Sequence, residues 1–132
     1  MTRVLFVCIG NCCRSQMAEG FARAYGQGVC EVESAGLMPA VSIVAPVREV
    51  MAEKQIDLGE QFPKPLEWIR PGTFDLVVNM SGYPLDQTLG APVRDWAVDD
   101  PIGGSGKLYR RVRDQIEVQV KALVDEFRAP RI

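Results

Sequence analysis

The run Arg3–Cys8 (RVLFVC) is apolar at consecutive positions, where a half-exposed strand would alternate. Such a strand is buried on both faces, as in a parallel sheet covered above and below. Phe74–Met80 (FDLVVNM) has the same character, and Val29–Ser34 and Val93–Val98 read as two further strands. Helical patterns lie between them. Ser15–Tyr25 offers Met17, Ala18, Phe21, Ala22 and Tyr25 to a packed face, and Gly26 and Gly28 end it. A helix starting near Ala45 tolerates Pro46 in its first turn and turns Val47, Val50 and Met51 inward. Leu108–Phe127 is the clearest helix, with Val112, Ile116, Val120, Leu123, Val124 and Phe127 at helical spacing and charge on the other face. Loops are expected at Ala35–Ser42, at Glu60–Pro71 with one helical turn near Leu66–Ile69, and at Asp99–Gly106. Ser81–Gly90 reads as helix and turn.

Strands and helices therefore alternate from end to end. The expected fold is α/β: one domain over residues 1–132, a three-layer sandwich with a four-stranded parallel doubly wound sheet and helices on both faces. Apolar residues make up 47% of the chain, which argues against disorder. The net charge of -2, with acids and bases interspersed, argues against a nucleic-acid or membrane binder. The apolar run Val4–Ile9 is too short for a membrane span or a secretory core, so a cytoplasmic protein is expected. In that compartment crowded cysteines are catalytic, redox-active or metal-bound before they are structural disulfides. The chain has no histidine, which removes the commonest general base and metal ligand.

Three of the four cysteines, Cys8, Cys12 and Cys13, fall in the segment "CIGNCCRS". Cys8 ends the first strand, and Cys8–Ser15 connects it to the first helix. In a doubly wound sheet, ligands bind beyond the carboxyl ends of the strands. Amide N–H groups of such a loop, with the positive end of the helix dipole, form an oxyanion cradle. Arg14 adds a cation able to bind two oxygens at once. Gly10 is expected to take backbone angles other residues avoid, and Asn11 tolerates left-handed geometry and can pin the loop. Ser15 can donate to the Cys8 sulfur. A thiol that ionises near pH ~8.5 when free ionises more readily beside a helix N-terminus and an arginine, so Cys8 is expected as a thiolate nucleophile. A leaving oxygen needs a proton, and without histidine a carboxylic acid must supply it. The "DDP" loop, Asp99–Pro101, follows a strand and lies on the same side of the sheet.

The loop Cys8-Ile-Gly-Asn-Cys-Cys-Arg14-Ser15 is similar to the C-x5-R-S loop of the low-molecular-weight protein tyrosine phosphatases. "QMAEGFA", "ESAG" at Glu33–Gly36 and Asp100-Pro101 extend the resemblance along essentially the whole chain. It implies Cys8 as the nucleophile that carries a covalent phosphoryl group, Arg14 as the clamp on the oxyanion, and Asp100, ahead of Asp99, as general acid. Ile9, Gly10, Asn11, Cys12, Cys13 and Ser15 would form the substrate-binding loop, and Cys13 would be either a reversible disulfide partner for Cys8 or a small buried residue filling space. No cofactor is implied. The expected activity is hydrolysis of phosphomonoesters, phosphotyrosine-like, with a phosphorylated protein or a small oxyanion as substrate.

The same superfamily holds arsenate reductases, and "RSQMAEG", "FDLVV", "DDP" and "RVRDQI" resemble that branch. Its thioredoxin-coupled members need two further cysteines after the third strand. This chain has Ser81 and Thr88 at those positions, so the internal three-cysteine relay is absent and reduction would need an external thiol reductant. Against the tyrosine-specific reading, Ile102 and Gly103 follow Asp100-Pro101 where aromatics are usual. Ile9, Leu37, Met38 and Val41 would have to wall a substrate ring instead. A non-catalytic oxyanion-binding or redox-sensing module is a third reading, opposed by Asp100, since a pure binder needs no proton donor. The spacing of Cys8, Cys12 and Cys13 and the lack of a histidine argue against a zinc site. "GGSGK" at Gly103–Lys107 lacks the first glycine and the leading strand of a nucleotide loop. Cys30, Trp68 and Trp96 read as packing residues, and Arg110, Arg111 and Arg113 as a solvated helix face.

Overall fold

The computed structural model describes residues 1–85 and 89–129. In chain order its elements are β1 (Thr2–Cys8), α1 (Arg14–Tyr25), β2 (Cys30–Gly36), α2 (Ala45–Ala52), a 3-10 turn (Leu66–Trp68), β3 (Leu76–Asn79), β4 (Val93–Asp95) and α3 (Gly106–Arg128). The strands form one parallel sheet in the order β2-β1-β3-β4, the doubly wound α/β arrangement that the consecutive apolar runs require. The chain passes from β1 to β2 on one side and returns past β1 to reach β3. The carboxyl ends of β1 and β3 therefore flank the crevice where the winding reverses, and Cys8 is the last residue of β1.

Side chains of β1 alternate between two cores. Val4, Phe6 and Cys8 join Met17 and Phe21 of α1, Val47 and Met51 of α2, and Ile116 and Val120 of α3. Leu5 and Val7 face the opposite core with Phe74, Val77, Leu89 and Ala91, closed by Leu66 and Ile69 at the 3-10 turn. Among the described residues three α-helices thus cover one face, and the expected helical layer on the other is a single 3-10 turn with loops, because the proline- and glycine-rich stretch 59–73 between α2 and β3 supports no longer helix. No described helix is long and apolar enough to cross a membrane.

Several local expectations change. β2 runs on to Gly36, through the expected loop start, because Gly36 pairs with Cys8 in the ladder and its N–H donates to the Lys64 carbonyl at 2.8 Å. β4 is short because the chain leaves the ladder after Asp95. Trp96 then packs on Phe6 with ring centroids 6.0 Å apart, and the Val98 carbonyl turns to Arg14. α3 begins at Gly106 because Ser105 Oγ accepts from the Leu108 N–H at 3.3 Å. Trp68 is not a packing residue: it is exposed, with Leu66 the inward member of its turn. Arg113 does not belong to a solvated face. It is buried, donating to the Val50 carbonyl at 2.9 Å and pairing with Glu53 and Asp114, because α2 lies across α3 there. Ser81 satisfies local groups, donating to Asn79 Oδ1 at 2.7 Å and accepting from Tyr83 N–H at 3.1 Å. Thr88 lies outside the described residues.

Candidate active site

The loop between β1 and α1 owes its shape to where its carbonyls go. Those of Cys8, Ile9, Gly10 and Cys12 accept from the backbone N–H groups of Leu37, Met38, Ala40 and Val44 at 2.8–3.2 Å. With its carbonyls held outward by this segment, the loop turns its N–H groups the other way. Among the described residues, the backbone N–H groups of Gly10 through Gln16 donate to no acceptor, and Cys13 caps α1 without a side-chain bond. Buried backbone donors are nearly always paired, so a run of free N–H groups at a helix N-terminus can serve as a cradle for an anion.

Asn11 sits at φ 49°, in the left-handed region anticipated for it. Its Nδ2 donates to Ser15 Oγ at 2.7 Å, and Ser15 Oγ lies 2.8 Å from Cys8 Sγ. Since Asn11 Nδ2 can only donate, the Ser15 hydroxyl accepts from it and keeps its own hydrogen for the sulfur. Cys8 is 2% exposed, at the floor of the loop. Gly10 does not serve through unusual angles, as it has no positive φ. A Cβ there would lie 3.0 Å from Cys12 Sγ, so its contribution is space. Gly36 is tighter still: a Cβ would meet the Ile9 carbonyl oxygen at 2.8 Å and the Asn11 backbone nitrogen at 2.9 Å.

Arg14 is buried and anchored from across the sheet. Its Nη1 donates to the Met80 carbonyl at 2.5 Å and the Val98 carbonyl at 3.2 Å, just past β3 and β4. Its Nη2 lies 3.7 Å from Asp100 Oδ2. The structure therefore brings Asp100 to the cradle. Asp99 turns away and meets Arg111 at 3.5 Å. Asp100 remains exposed, with Oδ1 accepting from the Ile102 N–H at 3.1 Å.

The other two loop cysteines are buried as well. Burial pushes the Cys13 thiol far up, reinforced by Cys8 and Asp100, and burial also raises that of Cys12. Cys30 is half-buried at the edge of the first core, and burial raises its thiol too. Among the described residues the expected apolar wall is not assembled as a unit: Ile9 is half-buried, Met38 and Val41 project into solvent, and Leu37 packs toward the second core. Among the described residues no group of three or more Cys, Asp or Glu is placed to hold a metal ion. Sequence reasoning missed the Met80 and Val98 carbonyls, the Lys64 amide that donates to Asn11 Oδ1 at 3.0 Å, and Gln16 and Gln61 behind the loop. The one sequence signal for this backing was the glycine of "ESAG".

A strand-end cysteine under a ring of free amides, clamped by an arginine, can be compared with known proteins. An arsenate reductase of Synechocystis sp., named a glutaredoxin arsenate reductase, is 37% identical over 94% of this chain and 97% of its own. A putative arsenate reductase of Halobacterium salinarum is 36% identical over 96% of this chain and 93% of its own. Among solved structures, an arsenate reductase in the phosphate-binding state superposes with a TM-score of 0.89 at 34% identity, covering 96% of this chain and 99% of that one. The YwlE arginine phosphatase of Geobacillus stearothermophilus superposes with a TM-score of 0.79 at 27% identity, covering 97% and 94%. Residues 3–131 match the model of one enzyme family, and the chain belongs to it: the low molecular weight phosphotyrosine protein phosphatase family.

Proposed function

We propose that this protein reduces arsenate, with Cys8 as nucleophile and an external thiol as the source of electrons. Two kinds of support bear on it. Two relatives at 37% and 36% identity that span nearly the whole chain are named arsenate reductases. The observation that carries the reading is the cradle itself, a set of amides and one guanidinium fitted to a tetrahedral oxyanion. Among the described residues, Met38 and Val41, two of the residues expected to wall an aryl ring, point into solvent instead.

The steps follow from the residues present. The oxyanion binds to the loop N–H groups and to Arg14, which places its central atom in line with Cys8 Sγ. The Cys8 thiolate attacks arsenic(V). A sulfur–arsenic bond forms, and a hydroxyl leaves as water with a proton from Asp100. An external thiolate then attacks Cys8 Sγ. A disulfide forms, the sulfur–arsenic bond breaks with its electron pair going to arsenic, and arsenite departs. A second thiol attacks the mixed disulfide and returns Cys8 as thiolate. Overall, arsenate and two thiols give arsenite, one disulfide and water. Cys13 is a poor substitute for the external thiol, because burial holds it protonated and only thiolates attack. A glutaredoxin-type thiol, as in the name of the Synechocystis relative, is the first candidate.

Phosphomonoester hydrolysis through phospho-Cys8 is the second reading. It is favoured by Asp100 at the rim, which could protonate an ester oxygen and then activate water. One experiment separates the two: the protein is incubated in parallel with an aryl phosphate and with arsenate plus glutathione and glutaredoxin. Arsenite release dependent on the thiol supports reduction, and aryl phosphate turnover alone supports the phosphatase.

A further inference from the structure

The loop that carries the free amides turns at Asn11, which holds a left-handed conformation. Asn11 is fully buried and fixed through three groups. Its Nδ2 bonds Ser15, its Oδ1 accepts from the Lys64 N–H, and its backbone carbonyl accepts from Gln16 Nε2 at 2.9 Å. Gln16 is itself fully buried in the first turn of α1. Its side-chain amide is oriented in turn by Gln61, whose Nε2 donates to Gln16 Oε1 at 2.9 Å and to the Gln16 carbonyl at 3.2 Å. The segment carrying Gln61 is pinned at its far end, where Lys64 bonds both Asn11 and Gly36. A continuous path of hydrogen bonds thus runs from Gln61 through Gln16, Asn11 and Ser15 to the Cys8 sulfur.

We propose that Gln61 is a positioning residue for Cys8. It fixes the Gln16 amide so that this amide donates to the Asn11 carbonyl, which keeps the loop N–H groups converged and the Ser15 hydroxyl aimed at the sulfur. Gln61 reaches the sulfur only through Gln16, Asn11 and Ser15. The inference rests on Cys8 being the nucleophile, whichever oxyanion it attacks.

The informative variant is Gln61→Glu, which keeps the shape and removes the donor. A carboxylate facing Gln16 Oε1 forces the Gln16 amide to turn over, and the Asn11 carbonyl then faces an oxygen. Gln61→Ala removes the donor without adding charge. The readout is the rate of Cys8 alkylation by iodoacetamide against pH, localised to Cys8 by fragment mass spectrometry, with thermal unfolding followed in parallel. In both variants the profile should move to higher pH, slowing alkylation near neutrality about tenfold, while the unfolding transition stays cooperative. Inorganic phosphate should protect Cys8 less well than in the parent protein. Profiles that superimpose on the parent's would overturn the proposal. So would a rise in pH midpoint in Gln61→Glu alone, since that would be a charge effect. Alkylation needs neither arsenate nor ester turnover, so a failed functional reading would show separately, as a parent protein inactive on both substrates.

Discussion

Two loops meet over Cys8, and they are built in opposite ways. The loop after β1 is buried from Asn11 to Ser15, its carbonyls are tied to the segment after β2, and its arginine is bonded to the ends of β3 and β4. The loop after β4 is exposed from Asp99 to Gly106 except for Pro101. The bonds its backbone N–H groups make are local, from Ile102 N–H to Asp100 and from Gly104 N–H to the Pro101 carbonyl at 2.8 Å. The difference matches the two tasks. Donors that stabilise developing charge must be in place beforehand, since reorganising them during the reaction costs what they would contribute. A carboxyl that gives a proton, the part proposed for Asp100, must reach the leaving group, and an exposed, locally bonded loop permits this. The Arg14–Asp100 contact joins the two loops.

The largest effect should come from the rigid loop. Cys8→Ser should abolish turnover of either substrate while the protein still folds, measured by product release and circular dichroism. Next, in the open loop, Asp100→Asn should slow turnover about 100-fold or more, with oxyanion affinity retained, because it removes a proton and leaves the cradle. Equal losses of affinity and turnover would show that the two loops do not divide the work. Gly36→Ala should then strike the cradle from behind. Its methyl meets backbone atoms of Ile9 and Asn11 that cannot move independently, so stability should fall by about 1–3 kcal/mol and phosphate binding should weaken with it. The smallest effect is expected at the end of the open loop. Ser105→Ala removes the α3 cap and should cost about 1 kcal/mol in unfolding, with turnover per folded molecule unchanged.

The same contrast decides what could be read from the sequence. The cradle's own residues are contiguous, so strand end, loop and helix start fell within one short segment, and Asn11 and Ser15 take the local geometry their chemistry suggested. Asp100 was legible through its proline and its place after a strand. What holds the cradle was not legible. The carbonyls of Met80 and Val98, the amide of Lys64 and the amide of Gln61 are ordinary groups far along the chain, and backbone partners leave no mark on residue type. Gly10 was credited with backbone freedom, whereas the crowded neighbour is Cys12 Sγ. Arg113 looked like its neighbours Arg110 and Arg111, but the approach of α2 buries it, and that crossing is a tertiary fact.

The most direct measurement is the stoichiometry of a single reaction. Protein with reduced cysteines is mixed with excess arsenate, first without and then with glutathione, and arsenite and thiol oxidation are quantified. Arsenite should appear only when the external thiol is present, at one arsenite per two thiols oxidised, with a glutathione mixed disulfide trapped on Cys8. Arsenite formed without external thiol, accompanied by a disulfide between Cys8 and Cys12 or Cys13, would contradict the borrowed-thiol route.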